Sequence, residues 1–419
     1  MCSLARRVFL PPAVLAAIFS LSALSVTPTV LAVEAKAGWS SGLDVNVEGS
    51  AGLCGGASRG QALHSLAVAK VDWIQAENAD RGVHFRTYAS VMNLTGRGPS
   101  DRFLGDFLAA SNSAGFNSTR LYSWWVEAQM GNWSLRAGAL LADDEFTGTE
   151  IGANLFNSAF GWPAFISANT VNTGPAFFVA APGVRIERKL GETAAWRLGV
   201  YDGDTFDSKV GDPVLNRLGL HYRVGGDQGW FAMTEATFAP KESANRYKAG
   251  AWLHTAKFSD VRDDTTGRRL AITGGTPRSH SGNLGAYSAI ERTLAGKSGE
   301  AGYFAGFVRG GIAPANRNTL TWALDTGLAY TGLIPGRAND TTTLGLAHGN
   351  FSSRFAANAY AIDPSSAMPD FEQALELSHS VMLTERITVQ PDLQYIRHPG
   401  GSTAQRDALA FLLRVKATY

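Results

Sequence analysis

The chain ends in Asp407–Tyr419, which reads DALAFLLRVKATY. Every second residue from Leu409 to Tyr419 is apolar or aromatic, whereas Arg414 and Lys416 stand at positions between them. Because successive side chains of a strand point to opposite faces, one face of this stretch is apolar and the other carries charge. A half-buried strand of a soluble protein would alternate in the same way. The alternation recurs along most of the chain, which predicts an all-β fold, a transmembrane antiparallel β-barrel with polar side chains inside.

The N-terminus has the parts of a signal peptide. Arg6 and Arg7 precede the largely apolar stretch Val8–Val26, and Val30–Ala32 is a small-residue cleavage site. A retained helical anchor is the alternative, but the apolar stretch is short and two prolines interrupt it. We predict a signal peptide over residues 1–32, an N-terminal segment with a possible first strand over residues 33–64, and the barrel over residues 65–419.

Composition excludes several classes of function. Cleavage after Ala32 would leave 35 basic against 36 acidic residues, a net charge of −1, which gives no reason to expect nucleic-acid binding. Cys2 would leave with the signal peptide, and Cys54 alone cannot form a cysteine metal site. We therefore predict no cofactor and no metal. The 46 glycines among 419 residues suit a chain with many tight turns.

Alternation and turn residues give seventeen candidate strands. They are residues 42–49, 66–78, 82–94, 120–130, 133–141, 180–189, 195–201, 215–224, 229–238, 247–258, 283–295, 300–311, 321–333, 342–351, 371–383, 387–397 and 407–419. Bacterial single-chain barrels have even strand counts, so we predict sixteen. The error is expected between Gly229 and Asn283, or in one of the weak segments 42–49 and 342–351. The long loops 95–119 and 143–173 lack strand character, and we expect the second to fold inward and narrow the lumen.

Strand parity places a set of charged and aromatic side chains in the lumen, where charge avoids the cost of facing lipid, roughly 2–4 kcal/mol for Arg or Lys at midplane. The candidate lumen and constriction residues are Arg86, Trp125, Glu127, Arg136, Arg185, Arg197, Glu235, Trp252, Arg309 and Glu376. Parity also sends Arg217, Arg223, Lys248 and Glu372 inward. Planar guanidinium groups suit sugars because they donate several fixed hydrogen bonds, and the two tryptophans would offer stacking faces. The ring of Arg86, Glu127 and Arg136 is the favoured selective site. Structural ion networks that fill a narrow barrel are the alternative.

Several stretches carry a family resemblance in their shared order. They are AAPGVRI (Ala180–Ile186), GVYDGD (Gly199–Asp204), GAWLHT (Gly250–Thr255), AGFVRGGIAPANRN (Ala305–Asn318) and VQPDLQYIRHPGG (Val389–Gly401). From about Gly42 to Tyr419 the chain resembles the carbohydrate-selective porins of the OprB family. The resemblance implies a 16-stranded channel of the bacterial outer membrane, constricted by its long early loops, that passes glucose-like sugars by diffusion. It also implies that the terminal aromatic, Tyr419, is the assembly signal read by the outer-membrane assembly machinery. The loop Asp260–Ser281 has no counterpart that we can match.

Rival interpretations remain at this point. The closest is a general or differently selective porin, and a barrel enzyme or an adhesin would belong to other classes. His221 and His254 lie on candidate strands, where a lone histidine is usually structural or lumen-lining, so we predict that the protein is not an enzyme. The expected partners are sugars, outer-membrane lipid and the assembly machinery. The resemblance leaves open a monomer or a homotrimer.

Overall fold

A computed structural model describes residues 37–76, 82–208, 211–225, 228–241, 243–364 and 367–419. The predicted signal peptide lies outside these described residues. Sixteen antiparallel strands follow one another around a closed barrel, and the last strand pairs with the first. The strands are β1 (Gly38–Cys54), β2 (Gln61–Ile74), β3 (His84–Gly96), β4 (Ser118–Met130), β5 (Trp133–Leu140), β6 (Ala181–Leu190), β7 (Ala194–Asp202), β8 (Trp230–Phe238), β9 (Arg246–Asp264), β10 (Pro277–Ala295), β11 (Phe304–Ile312), β12 (Leu320–Thr331), β13 (Thr341–Phe351), β14 (Phe371–Thr384), β15 (Ile387–Arg397) and β16 (Ala408–Thr418). The predicted fold class and strand number are confirmed.

The β4 strand illustrates why these segments form a barrel wall. Trp124 and Val126 are exposed on its outer face, whereas Trp125 and Glu127 are buried on its inner face. A shift of the pairing register by one residue would exchange the two faces and place Glu127 in lipid. The alternation of apolar and polar residues therefore fixes the register of the wall as well as its strands.

Exposed aromatic side chains lie near both ends of the barrel wall. Trp39, Phe85, Trp133, Phe238 and Tyr419 lie at the end where β1 begins and β16 finishes. Trp124, Trp230, Trp322 and Tyr395 lie towards the other end. Two aromatic girdles of this kind are typical of membrane barrels, in which turns are short on the periplasmic side and loops are long on the extracellular side. The tight turn between β4 and β5 identifies the end with Tyr419 as periplasmic.

The structure differs from the sequence prediction in one candidate strand and in the residue at which the wall begins. Residues 42–49 and 342–351 are both wall strands, so neither is the surplus candidate. The surplus candidate is 215–224, because β7 pairs directly with β8 and the described residues between them form no wall strand. The expectation that the error lies between Gly229 and Asn283 is therefore wrong. Arg217 and Arg223 consequently do not point into the lumen from a strand. The wall also begins at Gly38 rather than at residue 65, since all of β1 belongs to it.

The extracellular rim carries most of the remaining secondary structure. Strands β9 and β10 extend into the stretch Asp260–Ser281, which the sequence predicts to be a loop. Arg354 stabilises the extension by pairing with Asp260 and Asp263. Four α-helices of the described residues lie in the loops: α1 (Ser158–Gly161), α2 (Ala164–Ser167), α3 (Leu270–Thr273) and α4 (Ser353–Ile362). None of the helices among the described residues is long and apolar enough to cross a membrane.

Two long connections on the extracellular side lie inside the barrel. We call residues 97–117, between β3 and β4, the first inward loop, and residues 141–180, between β5 and β6, the second inward loop. Phe160 and Phe165 of the second inward loop pack on Phe307 and Tyr287 of the wall, with ring centres 6.3 and 5.9 Å apart. The main hydrophobic core therefore lies within the barrel, between this loop and strands β8–β13.

Candidate functional site

Glutamates on the inner wall hold the inward loops by their peptide groups. Glu372 accepts hydrogen bonds from the backbone N–H groups of Phe107 and Leu108, both at 2.7 Å. Three further glutamates make the same kind of contact with the second inward loop: Glu235 with Thr147, Glu291 with Glu150 and Ile151, and Glu376 with Phe156 and Asn157. Carboxylates are acceptor-only groups with several lone pairs, so each can satisfy more than one buried N–H. These contacts fix both loops against the wall.

Arg309 on β11 also holds the second inward loop, but it does so as a hydrogen-bond donor. Its guanidinium pairs with Asp325 at 2.9 Å and donates to the carbonyl oxygens of Ala159 at 2.6 Å and Phe160 at 3.0 Å. It also donates to the Thr147 carbonyl at 3.0 Å, and its side chain is fully buried. Five planar donors suit this convergence of carbonyl oxygens. Arg309 is thus an anchor of the loop and is closed off from the lumen.

On the opposite side of the lumen, two glutamates and two arginines form a compact ion network. Glu127 accepts from Arg136 at 2.7 Å and from Arg185 at 3.0 Å. Glu145 of the second inward loop pairs with both arginines, 3.2 Å from the Nε atom of Arg185. The backbone carbonyl of Glu145 also accepts from Arg197 at 3.1 Å. The network joins β4, β5, β6 and β7 to the second inward loop.

Trp125 supports the arginines of this network. The Arg136 guanidinium carbon lies 3.8 Å from the centre of the Trp125 ring, and that of Arg86 lies 5.4 Å away. Tyr88 is stacked on the same ring at 5.2 Å. Arg86 is bonded to Asp72 on β2 and leaves 45% of its side chain exposed. Cation–π contacts orient both guanidinium groups at the edge of the open lumen.

The structure divides the predicted site residues into two groups. Arg86, Trp125, Glu127, Arg136, Arg185 and Arg197 lie together on the β3–β7 side. Glu235, Trp252, Arg309 and Glu376 are instead buried where the second inward loop meets the wall. Trp252 packs on Phe231 with its ring covered, and Trp125 is only 7% exposed, so neither ring is an open stacking face. Arg414, at the seam of the barrel, points inward as predicted and bonds to Glu48 at 2.7 Å.

A cavity of about 1190 Å³ lies on the extracellular side of the ion network. The two inward loops and the start of the β7–β8 connection line it, and we call it the vestibule. Half-buried aromatic side chains face it, among them Phe116, Phe177 and Phe178, whose rings pack edge to face. No pattern in the sequence identifies these residues or Glu145, because loops have no strand parity from which an inward direction can be read.

Asp143 and Asp144 are carboxylates of the vestibule, and the pKa of each is raised. Burial raises the pKa of Asp143 to about 6, although the backbone N–H of Phe177 donates to it at 2.9 Å. Its other carboxylate oxygen is buried without a hydrogen-bond partner. The charge of the vestibule wall therefore changes near neutral pH.

No arrangement typical of catalysis is found among the described residues. His64 bonds to Ser113 at 2.9 Å, and Glu48 lies at the same Nε2 atom of the ring. The Nδ1 atom of His64 has no hydrogen-bond partner among the described residues, so these three side chains lack the order of a catalytic triad.

The stretches Gly38–Gly42 and Gly56–Gly60 match Gly-x-Ser-x-Gly, but the first lies within β1 and the second in the β1–β2 loop. Neither forms the strand-to-helix turn that exposes a nucleophilic serine. Asp260 and Asp263 pair with Arg354, and the described part of the chain has no group of His, Cys, Asp and Glu placed to hold a metal ion.

A closed barrel with an even number of strands, two aromatic girdles and loops folded into its lumen is the architecture of an outer-membrane porin. Residues 67–419 match the family model described as carbohydrate-selective porin, OprB family. The chain belongs to this family, which confirms the resemblance seen in the sequence. The barrel is a bacterial outer-membrane protein.

Individual relatives agree with this assignment. Porin B of Pseudomonas aeruginosa is 23% identical over 239 residues, which are 53% of this chain and 51% of that protein. The chain thus spans about half the length of the curated relative it matches. The high-pH structure of Pseudomonas putida OprB superposes with a TM-score of 0.79 at 20% identity, over 91% of this chain and 94% of that one. The outer membrane channel DcaP of Acinetobacter baumannii reaches 0.54 at 12% identity, over 92% and 98%.

Proposed function

We propose that the protein is a passive channel selective for carbohydrates, with its passage along the β3–β7 side of the lumen. The contrast in exposure between two arginines supports this position. Arg309 is fully buried beneath the second inward loop, whereas Arg86 leaves 45% of its side chain exposed. The buried wall residues that hold the inward loops, Glu235, Glu291, Arg309, Glu372 and Glu376, lie on β8–β14. We therefore place the solute path on the other side, beside Arg86 and Arg136.

The chemistry of this path suits a neutral polyol. A sugar has apolar ring faces edged by hydroxyl groups, so it needs flat apolar surfaces together with hydrogen-bond donors and acceptors. In the vestibule, Phe116, Phe177 and Phe178 supply the apolar surfaces. Below it, the guanidinium groups of Arg86 and Arg136 supply donors and the carboxylate of Asp72 supplies an acceptor. The stacking role expected of Trp125 and Trp252 is assigned here to the phenylalanines.

The proposal of selectivity rests on the way in which Arg136 is held in place. Arg136 is held by Trp125, Glu127 and Glu145 at once, so its guanidinium cannot swing freely with the solute. Donors fixed before binding avoid the loss of side-chain freedom that would otherwise weaken binding, about 0.5–1.5 kcal/mol for each immobilised side chain. A flexible lysine-lined pore of the same width would sort solutes by size and charge alone.

Current recordings in planar bilayers with added glucose test the proposal. We expect glucose to block the ion current of the wild-type channel, and we expect Arg86→Gln and Arg136→Gln each to raise the half-blocking concentration. Lys297→Gln, at an exposed periplasmic turn, is the matched control and should leave the block unchanged. Glucose that never blocks, with solute flux set by size alone, would establish a general porin instead.

A further inference from the structure

The segment between β7 and β8 that resembles a strand in sequence lies at the extracellular rim, against the outer side of the wall. The carbonyl of Leu218 accepts from the backbone N–H of Leu121 at 3.0 Å, on an edge of β4 that extends beyond the end of β5. The Tyr222 hydroxyl accepts from the Trp124 indole N–H at 3.2 Å. Since Trp124 belongs to the extracellular aromatic girdle, Tyr222 lies at the level of the membrane interface.

Burial of one wall residue supports this position independently. Ala139 has the outward parity of Leu135 and Ala137 on β5, both of which are exposed. Ala139 nevertheless has no exposed surface, and Tyr222 packs on the small cluster that contains it. A side chain that points out of the barrel and is fully buried must be covered from outside. The segment therefore continues the outer surface of the barrel at the rim.

The exposed side chains of this segment are strongly apolar. Described residues 211–225 include exposed Val214, Leu215, Leu218, Leu220 and Val224, of which Leu218 leaves 61% of its surface open. Five large apolar side chains exposed within so short a segment form a patch that water does not favour. Lipid already covers the adjoining outer face of β4, so the patch is continuous with an established apolar interface.

The charged side chains of the segment fit the same environment. Arg217 and Arg223 are exposed and make no ion pair with any other described residue, whereas His221 is paired with Asp207 at 2.5 Å. Asp212 is the remaining exposed charge of the described segment. Two guanidinium groups that have no ion pair within the described part of the chain, beside an apolar patch, match the anionic headgroups above the acyl chains of a lipid leaflet.

We propose that residues 213–224 are a membrane-interface anchor, whose apolar side chains insert into the outer leaflet while Arg217 and Arg223 bind its anionic headgroups. The proposal commits to lipid because of the contact with Trp124, the covered Ala139 and the continuity with the lipid-facing wall. It does not depend on sugar transport. A second copy of the chain or another protein on this surface is an outcome that the test can reveal.

Photo-crosslinking of the full chain in the bacterial outer membrane tests the apolar contact. Benzoylphenylalanine in place of Leu220 should form lipid adducts, as it should in place of the lipid-facing Val126. In place of the exposed Ile272, at the tip of the β9–β10 hairpin, it should form none. Heat-modifiable electrophoretic mobility verifies folding of each variant. Cross-links from position 220 to a second copy or another protein, or no adduct there at all, would overturn the proposal.

Vesicles test the headgroup contact. The folded barrel should unfold at least twofold more slowly in vesicles that contain phosphatidylglycerol than in pure phosphatidylcholine. The double variant Arg217→Ser/Arg223→Ser should lose at least half of that difference. Arg268→Ser/Arg269→Ser removes two exposed charges from the β9–β10 hairpin and should retain it. Equal losses in the two double variants would exclude a specific role for Arg217 and Arg223.

Discussion

The guanidinium of Arg136 lies over the Trp125 ring, 3.8 Å from its centre, while the same group bonds to Glu127. A cation–π contact of this kind contributes about 0.5–2 kcal/mol. We expect Trp125→Leu to release Arg136 and to weaken glucose block of the current by about twofold to tenfold. Trp230→Leu, on the lipid-facing side, should leave the block unchanged. If both variants behave like the wild type, Trp125 does not position the arginine.

The anchors of the second inward loop should control the conductance. Glu376→Ala leaves the N–H groups of Phe156 and Asn157 without their acceptor, at a cost of about 1–3 kcal/mol for each buried group. The loop should then move away from the wall at this point, so that the channel gives larger or noisier single-channel currents. Glu300→Ala, in an exposed turn, serves as the control. Unchanged single-channel currents in Glu376→Ala would show that other contacts alone hold the loop.

Arg309 should matter for stability more than for selectivity. Arg309→Met leaves the buried carboxyl of Asp325 without its partner, which costs about 3–5 kcal/mol in comparable buried pairs. Adding Asp325→Leu removes the unpaired carboxyl and should recover part of that loss. Unfolding of the detergent-solubilised barrel by guanidinium measures both effects. A double variant less stable than the single one would contradict this account of the pair.

Charge in the vestibule should depend on pH through Asp143. Burial raises the pKa of this carboxyl to about 6, so the folded protein favours its protonated form and the group ionises as pH rises through that value. Negative charge then appears beside Asp144, whose own pKa is raised to about 7 by burial and by Asp143, so the preference for cations over anions should increase as pH rises through this range. Reversal potentials across a salt gradient measure the preference, and the double variant Asp143→Asn/Asp144→Asn should flatten the curve. The free energy of unfolding depends on the same ionisation of Asp143, and it decreases as pH rises. The contribution of this carboxyl is largest below its unfolded pKa of about 3.8 and is lost as pH rises to about 6.

Tyr419 is expected to act in the assembly of the barrel in the outer membrane, not in transport. Its backbone pairs with Leu43 on β1, at 2.9 and 3.0 Å, and its side chain is exposed. Deletion of Tyr419 removes both the pairing and the ring, whereas Tyr419→Ala removes only the ring. We expect both changes to lower the yield of folded barrel in the outer membrane, measured by heat-modifiable mobility. A normal yield with Tyr419→Ala but not with the deletion would assign the effect to strand pairing.

Sequence alternation predicts the wall well because lipid outside and water inside act on every strand alike. It fails at residues 215–224, where Leu218, Leu220 and Val224 alternate with polar residues but cover the outer rim. Both a lipid-facing strand and a rim segment need apolar side chains, so their local patterns coincide. Pairing decides between them, and β8 occupies the position beside β7.

The same limit applies to the site residues, because strand parity predicts the direction of a side chain but not what it contacts. Parity correctly sends Arg309 and Glu376 inward, but it cannot tell whether an inward side chain meets water or a loop. The peptide groups that bind Glu376 come from Phe156 and Asn157, some 220 residues earlier in the chain. Contacts across such distances follow from closure of the barrel, which no local pattern of residues contains. Arg86 and Glu127 lie on neighbouring strands, where parity alone predicts that the two side chains lie on the same inner face.

The glutamate anchors of the inward loops bind peptide N–H groups, which every residue except proline possesses. Replacement of Phe107, Ile151 or Asn157 by another residue with an N–H would therefore leave each anchor's partner in place. The barrel thus separates the position of its constriction from the identity of the side chains that the constriction displays. A channel built in this way can acquire a different solute preference by changes within two loops, while its sixteen strands and their buried acids stay as they are.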